Sequence, residues 1–171
     1  MKKMILMVTL FVAFAMNAQS QAVFKEIFNS SNKTLNDPHE DLTVRKLALF
    51  KVDVLTYLNT KTLEALSDTT VELSNDQLAH LLAQRDSQAY YLYDYINLFV
   101  QQYSRAQKER EKAAVLKMFR DASINYPLYN DPNREFVLAY YNREDYLTQF
   151  SLDTDWIKAN ADVRRKISGK E

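Results

Sequence analysis

NDQLAHLLAQRDSQAYYLYDYINLFVQQY, residues 75–103, is the stretch on which the fold of this chain turns. Leu78, Leu82, Ala89, Leu92, Ile96, Phe99 and Tyr103 recur every three or four residues, broken only at Arg85, which is the period of an amphipathic helix. Ser74 with Gln77 three residues on has the capping-box pattern that opens such a helix. At ~1.5 Å per residue the segment makes a rod of roughly 45 Å. Within it, YYLYDY places tyrosines 90, 91, 93 and 95 among six positions. On a helical wheel Leu92, Ile96 and Phe99 centre the buried face. Tyr91 and Tyr95 fall on one shoulder with Leu98, and Tyr93 and Val100 on the other, with Tyr90 beyond. A helix apolar on nearly every side is one surrounded by others. The tyrosines point in at least three directions, so they read as core and core edge and not as one flat stacking platform.

Composition carries the same reading to the rest of the chain. The 171 residues suit one domain with a core of its own. They include one glycine, Gly169, and three prolines, Pro38, Pro127 and Pro132. Tight hairpins, phosphate-cradling loops and nucleophile elbows rely on glycine. Its absence before residue 169 argues against β-rich and most nucleotide-binding folds. The expectation is an all-α, irregular bundle of four to six helices around a central helix near 75–104.

Working outward, Val23, Phe24, Ile27 and Phe28 fit a turn or two of helix. Asp37 before Pro38 is a candidate N-cap for a helix over about 38–59 carrying Leu47, Phe50, Val54, Tyr57 and Leu58. Asn59-Thr60-Lys61-Thr62 either frays this helix or lets it run on to Leu66. Downstream of the central helix, Val115, Phe119 and Ala122 lie about 120–140° around the axis from the Leu92–Phe99 line, at ~100° per residue. A turn near Arg105–Glu111 and a separate helix to about Ala122 follow. Residues 124–132 read as loop, and Asp131-Pro132 as the cap of a short helix. FVLAYY, 136–141, is too short to separate helix from strand. Tyr146, Leu147 and Phe150 suggest more helix. Asp153 or Thr154 is expected to cap a last helix with Trp156, Ile157, Val163 and Ile167, ended by Gly169.

The N-terminal MKKMILMVTLFVAFAMNAQSQA has the layout of a secretory signal peptide. Lys2 and Lys3 precede an apolar run from Met4 to Met16, broken only by Thr9. Small residues then allow cleavage after Ala22 or Ser20. The run falls short of the ~20 residues that span a bilayer. Residues 1–22 are therefore expected to leave a single helical domain, 23–171, with no permanent membrane anchor. The chain has no cysteine, which removes lipoprotein attachment, disulfides and thiolate metal sites. The mature protein would be periplasmic or secreted. Of 22 basic and 22 acidic residues, Lys2 and Lys3 leave with the signal, so the mature charge is −2. That gives no basis for binding nucleic acid.

Chemistry is sparse. His39 and His80, the two histidines, lie in different segments and in no metal-ligand spacing. Glu144, Asp145, Asp153 and Asp155 are the acids that a small glycan hydrolase would use, since glycosidases work with paired carboxylates. Acids at helix starts also favour the helix dipole, and that accounts for Asp153 and Asp155 without catalysis. Asp131, Asn133 and Glu135 alternate oxygens as a calcium loop does, but without its glycine. Glycan binding without cleavage would need Trp156 exposed beside Tyr140, Tyr141 or Tyr146. No catalytic, cofactor-binding or metal-ligating residue stands out, and no cofactor is expected.

AYYNREDYLTQFSLDTDWIKA, residues 139–159, together with the NAQSQA end of the leader, resembles small exported helical proteins of unknown function from Gram-negative gut and oral bacteria. The resemblance extends over the mature chain. It implies bacterial export and assigns no site residue. The expected function is a non-enzymatic interaction or structural role in the cell envelope with a protein partner. A glycan-acting hydrolase or glycan-binding module is the alternative.

Overall fold

A computed structural model describes residues 23–68, 70, 72–139 and 149–169. The expected signal peptide, and the acids and tyrosines of 140–146, lie outside the described residues. Helix α1 covers 23–36. It is followed by α2 (Leu42–Ser67), α3 (Asn75–Arg105), α4 (Glu109–Asn125), the single turn α5 (Arg134–Val137) and α6 (Trp156–Ile167). No strand occurs among the described residues. Helix α3 packs against α2, α4 and α6, and α4 against α6, so the all-α bundle is centred on α3 as its periodicity predicts.

The caps show why the helices start where they do. Ser74 Oγ accepts the Gln77 N–H at 3.3 Å while Gln77 Oε1 accepts the Ser74 N–H at 2.8 Å, the reciprocal box read from sequence. Helix α2 begins later than Pro38. The Asp37 carboxylate accepts the His39 N–H in a local turn, and Asp41 caps the helix by accepting the Thr43 N–H at 2.7 Å. The helix then runs through Asn59–Thr62 to Ser67. The break after α3 falls at 106–108, where Glu111 reaches back to accept the Gln107 and Lys108 N–H groups. Helix α4 continues to Asn125, one turn past Ala122. Asn133, not Asp131, caps α5. Asp155, not Asp153 or Thr154, caps α6. Gly169, at φ 65°, closes α6 as expected, whereas the chain reversals at Asn130 (φ 51°) and Gln149 (φ 53°) use residues with side chains.

The core is built on aromatic rings packed edge to face. Phe50, Tyr95, Phe99, Phe119, Phe150 and Trp156 are all fully buried. Tyr95 lies 5.1 Å from Phe119, 5.7 Å from Phe150 and 5.2 Å from Trp156, centroid to centroid. Such tilted contacts match the positive ring edge to the negative face. Phe150 belongs to no helix. It docks the segment before α6 into the middle of the bundle, 5.3 Å from Phe99 and 5.8 Å from Phe50. The tyrosine run divides more sharply than the wheel predicts, because α3 is not enclosed on the side of Tyr90, Tyr93 and Val100. Tyr95 is core, Tyr91 half-buried, and Tyr90 and Tyr93 open to solvent. Arg85, the break in the α3 stripe, is absorbed by charge and stacking. Its guanidinium donates to Asp86 and Asn59 and covers the Phe24 ring at 4.4 Å, tying α1, α2 and α3 together.

Candidate functional site

SLDTDW, residues 151–156, concentrates buried polar side chains. Ser151, Asp153, Thr154 and Asp155 are committed to architecture, while the buried Trp156 indole N–H has no hydrogen-bond partner among the described residues. One Asp153 oxygen accepts the Leu128 and Tyr129 N–H groups at 3.0 and 2.8 Å, and the other accepts that of Asp131 at 2.9 Å. Ser123 Oγ accepts the Ser151 N–H and lies 2.8 Å from Thr154 Oγ1. Gln88 from α3 grips the start of α6 with both ends of its amide. Its nitrogen donates to Asp155 at 3.1 Å and its oxygen accepts the Trp156 N–H at 2.7 Å. Asp155 also accepts the Lys158 N–H and pairs with the Lys158 ammonium. The helix-start reading thus holds for Asp155. Asp153 instead gathers the backbone of the loop that precedes α5. Trp156 is fully buried, so it offers no face to a sugar.

That loop completes a cleft of ≈ 540 Å³ along α2, lined by Thr56, Tyr57, Thr60, Lys61, Asp131 and Phe136 among others. Asp131 Oδ2 accepts from Lys61 at 2.8 Å and from the Tyr57 hydroxyl at 3.0 Å, and Asp131 Oδ1 accepts the Asn133 N–H. Lys61 also reaches Glu64 at 3.1 Å. The hydrogen bond from Lys61 holds the Asp131 carboxyl below the usual carboxylate range. The same bond raises Lys61. Burial, then the charges of Asp153 and Asp131, push the Tyr57 phenol well up. All three shifts lead away from neutrality, whereas a general acid or base works best with its pKa near the operating pH. The cleft thus carries an ion pair fixed between Lys61 and Asp131.

A second concavity, ≈ 480 Å³, lies between the first half of α2 and the second half of α3. Val44, Leu47, Ile96, Phe99, Val100 and Tyr103 make its wall, and Lys51 stands among them. The Lys51 ammonium sits 5.6 Å from the Tyr93 ring centroid. Burial lowers its pKa. Several large apolar side chains of α2 and α3 face solvent. Leu42 is 62% exposed, Tyr90 54%, Tyr93 and Val100 42%, and Val44 41%. Tyr90, Tyr93 and Val100 are spaced i, i+3, i+10 and so form one outward stripe of α3.

Among the described residues, the structure brings none of the sequence-level candidates together as a catalytic pair. His39 and His80 are both exposed, one beside α2 and one on α3. Asp131 is occupied by Lys61 and Tyr57, and no group of three potential metal ligands occurs among the described residues. Glu144, Asp145, Tyr140, Tyr141 and Tyr146 are outside the described residues. Sequence reasoning passed over Lys51 and Lys61, yet a signal was present. They follow Leu47 and Tyr57 by four residues, on the α2 stripe where the period calls for apolar side chains. No helix among the described residues is long and apolar enough to cross a membrane. No protein-family model matches the chain, and no curated protein or solved structure matches it either.

Proposed function

We propose that this is an exported, non-enzymatic protein of the bacterial cell envelope that works through contact with another protein. One observation carries the reading: α3 turns Tyr90, Tyr93 and Val100 to solvent along one stripe, and Val44 of α2, which lines the groove with Val100, is exposed as well. Contiguous exposed apolar surface on a folded domain marks an interaction site, and aromatic residues are enriched at such sites. The shifts at Asp131, Lys61 and Tyr57, all away from neutrality, support a role without acid–base catalysis. The test is capture from an envelope fraction with residues 23–171, followed by reconstitution with the purified partner. Tyr90→Asp and Tyr90→Ala, both outside the wall of the groove, should each weaken the complex. A partner bound equally by both variants would move the interface elsewhere.

A second reading, glycan binding, is favoured by the α2 cleft. Phe136 is 54% exposed there, 6.5 Å from the Tyr57 ring, above the hydrogen-bonding groups of Thr60, Lys61 and Asp131. An apolar ring beside hydrogen-bond donors and acceptors is the combination a sugar face and its hydroxyls require. Screening cell-wall and plant glycans against the wild type and Phe136→Ala tests it, with binding by the wild type alone as the supporting result.

A further inference from the structure

Lys51 sits where a lysine is poorly accommodated. A lysine on an apolar stripe ordinarily runs its ammonium out to water. Lys51 is half-buried, and among the described residues no carboxylate lies within ion-pair distance of it. Its one neighbour of opposite polarity is the face of Tyr93. The acid that lines the groove, Asp41, stands there with Thr43, and its carboxylate caps α2. The concavity therefore offers an uncompensated cation, a wall of Val44, Leu47, Ile96, Val100 and Tyr103, and a volume of ≈ 480 Å³. Small-molecule sites have this make-up: roughly 300–1,000 Å³, mostly apolar, with a few polar groups that orient the ligand.

We propose that the α2–α3 groove binds a medium-length acyl carboxylate, its head group paired with Lys51 and its chain lying along Val44, Ile96 and Val100. Charge selects the anion, and the groove selects its length. From Lys51 to Val44 is seven residues of α2, about 10 Å at the helical rise. An extended chain that advances ~1.2 Å per bond covers that distance in roughly eight carbons. Binding supplies Lys51 with the charge-assisted hydrogen bonds it lacks and removes the exposed parts of Val44 and Val100 from water. The inference stands apart from the protein-contact reading, because it needs Lys51 and the groove wall and not Tyr90.

The probe is decanoate below its micellar concentration, titrated into residues 23–171 by calorimetry and by methyl NMR, with 1-decanol and decyltrimethylammonium as matched chains. Decanoate is expected to bind once per chain and to move the Val44, Leu47, Ile96 and Val100 methyl resonances. It should bind at least about tenfold tighter than decanol, the scale of a hydrogen bond to a charged group. Lys51→Met should remove that preference while leaving decanol binding unchanged. Decanoate no tighter than decanol, equal binding of the ammonium compound, or shifts confined to other residues would each overturn the proposal. So would binding of an acidic amphipathic peptide at Lys51 with none of decanoate, which would assign the groove to a protein. The chain series uses wild-type protein alone, so the outcome survives a poorly folding variant. It also stands whether or not an envelope partner is captured.

Discussion

The Asp153 carboxylate accepts the Asp131 backbone N–H at 2.9 Å across 22 residues of sequence, and the two acids play opposite parts. Asp153, 1% exposed, accepts hydrogen bonds from three backbone donors and organises the loop from inside. Asp131, at the lip of the cleft, is neutralised by Lys61 and Tyr57. Asp153→Asn keeps the shape but removes the charge and points an amide N–H₂ toward donors. It should cost about 2–4 kcal/mol, because hydrogen bonds to a charged acceptor are worth about 1.5–3 kcal/mol and an unsatisfied buried donor adds to the loss. Urea unfolding of the two proteins measures it, and a difference under ~1 kcal/mol would show that the loop does not depend on the charge.

Gln88 is the corresponding device for α6. Gln88→Leu leaves the Trp156 N–H without its acceptor and should destabilise by about 1–3 kcal/mol. Gln88→Glu should be worse at neutral pH, since it sets a second carboxylate against Asp155, and like charges at that distance cannot both ionise cheaply. The two variants compared at pH 7 by thermal melts give the order, and Glu above Leu in stability would contradict it.

The ion pair of the cleft dictates a pH window. The folded-state pKa of Asp131 is depressed. Its contribution is therefore complete above the unfolded value of about 3.9 and is lost as pH falls through the folded value. Lys61 and Tyr57 are raised. Their contributions are complete below about 10 and are lost as pH rises through the folded values. Asp131→Asn should be less stable than wild type by about 1–3 kcal/mol at pH 7. The gap should begin to narrow below about pH 4. Denaturant titrations from pH 3 to 7 check this, and a gap independent of pH would mean that packing, not charge, distinguishes the variant.

Phe150 holds a non-helical segment in the aromatic core, so its loss tests whether that segment is integral to the fold. Phe150→Ala should cost about 3–5 kcal/mol, the range for large aromatic truncations in a close-packed interior. The fluorescence of Trp156, which shares neighbours Phe50 and Tyr95 with it, should shift to longer wavelength in the same variant as water gains access. An unchanged emission maximum with full stability would place Phe150 outside the core.

What could be read from the chain alone was what adjacent residues decide. The α3 stripe, the Ser74–Gln77 box, the break after Arg105 and the stop at Gly169 are all local, and each is present. The cap of α2 was misjudged because Asp37 and Asp41 are equally good caps in sequence. The choice falls to Asp41 once Asp37 turns back onto His39. Phe150 reads as helical by spacing with Leu147, but it packs against Phe99 and Phe50 from a segment that belongs to no helix. The candidate site was the least legible part. Asp153 finds its donors at 128, 129 and 131, and Lys61 finds Asp131 across seventy positions, contacts no periodicity encodes. Lys51 and Arg85 left a trace as charges on apolar stripes, but a stripe does not say whether its charge meets a partner, as Arg85 does, or a groove.

The reversals at Asn130 and Gln149 bear on the state this protein leaves when it folds. Both adopt positive φ without being glycine, so the native turn carries a small local strain that a hydrogen-only residue would avoid. The compensation lies in the denatured ensemble. A chain with a single glycine near its end has fewer backbone conformations open to it once unfolded, and so surrenders less freedom on collapse. Asparagine and glutamine at these corners therefore trade a little native strain for a stiffer random coil.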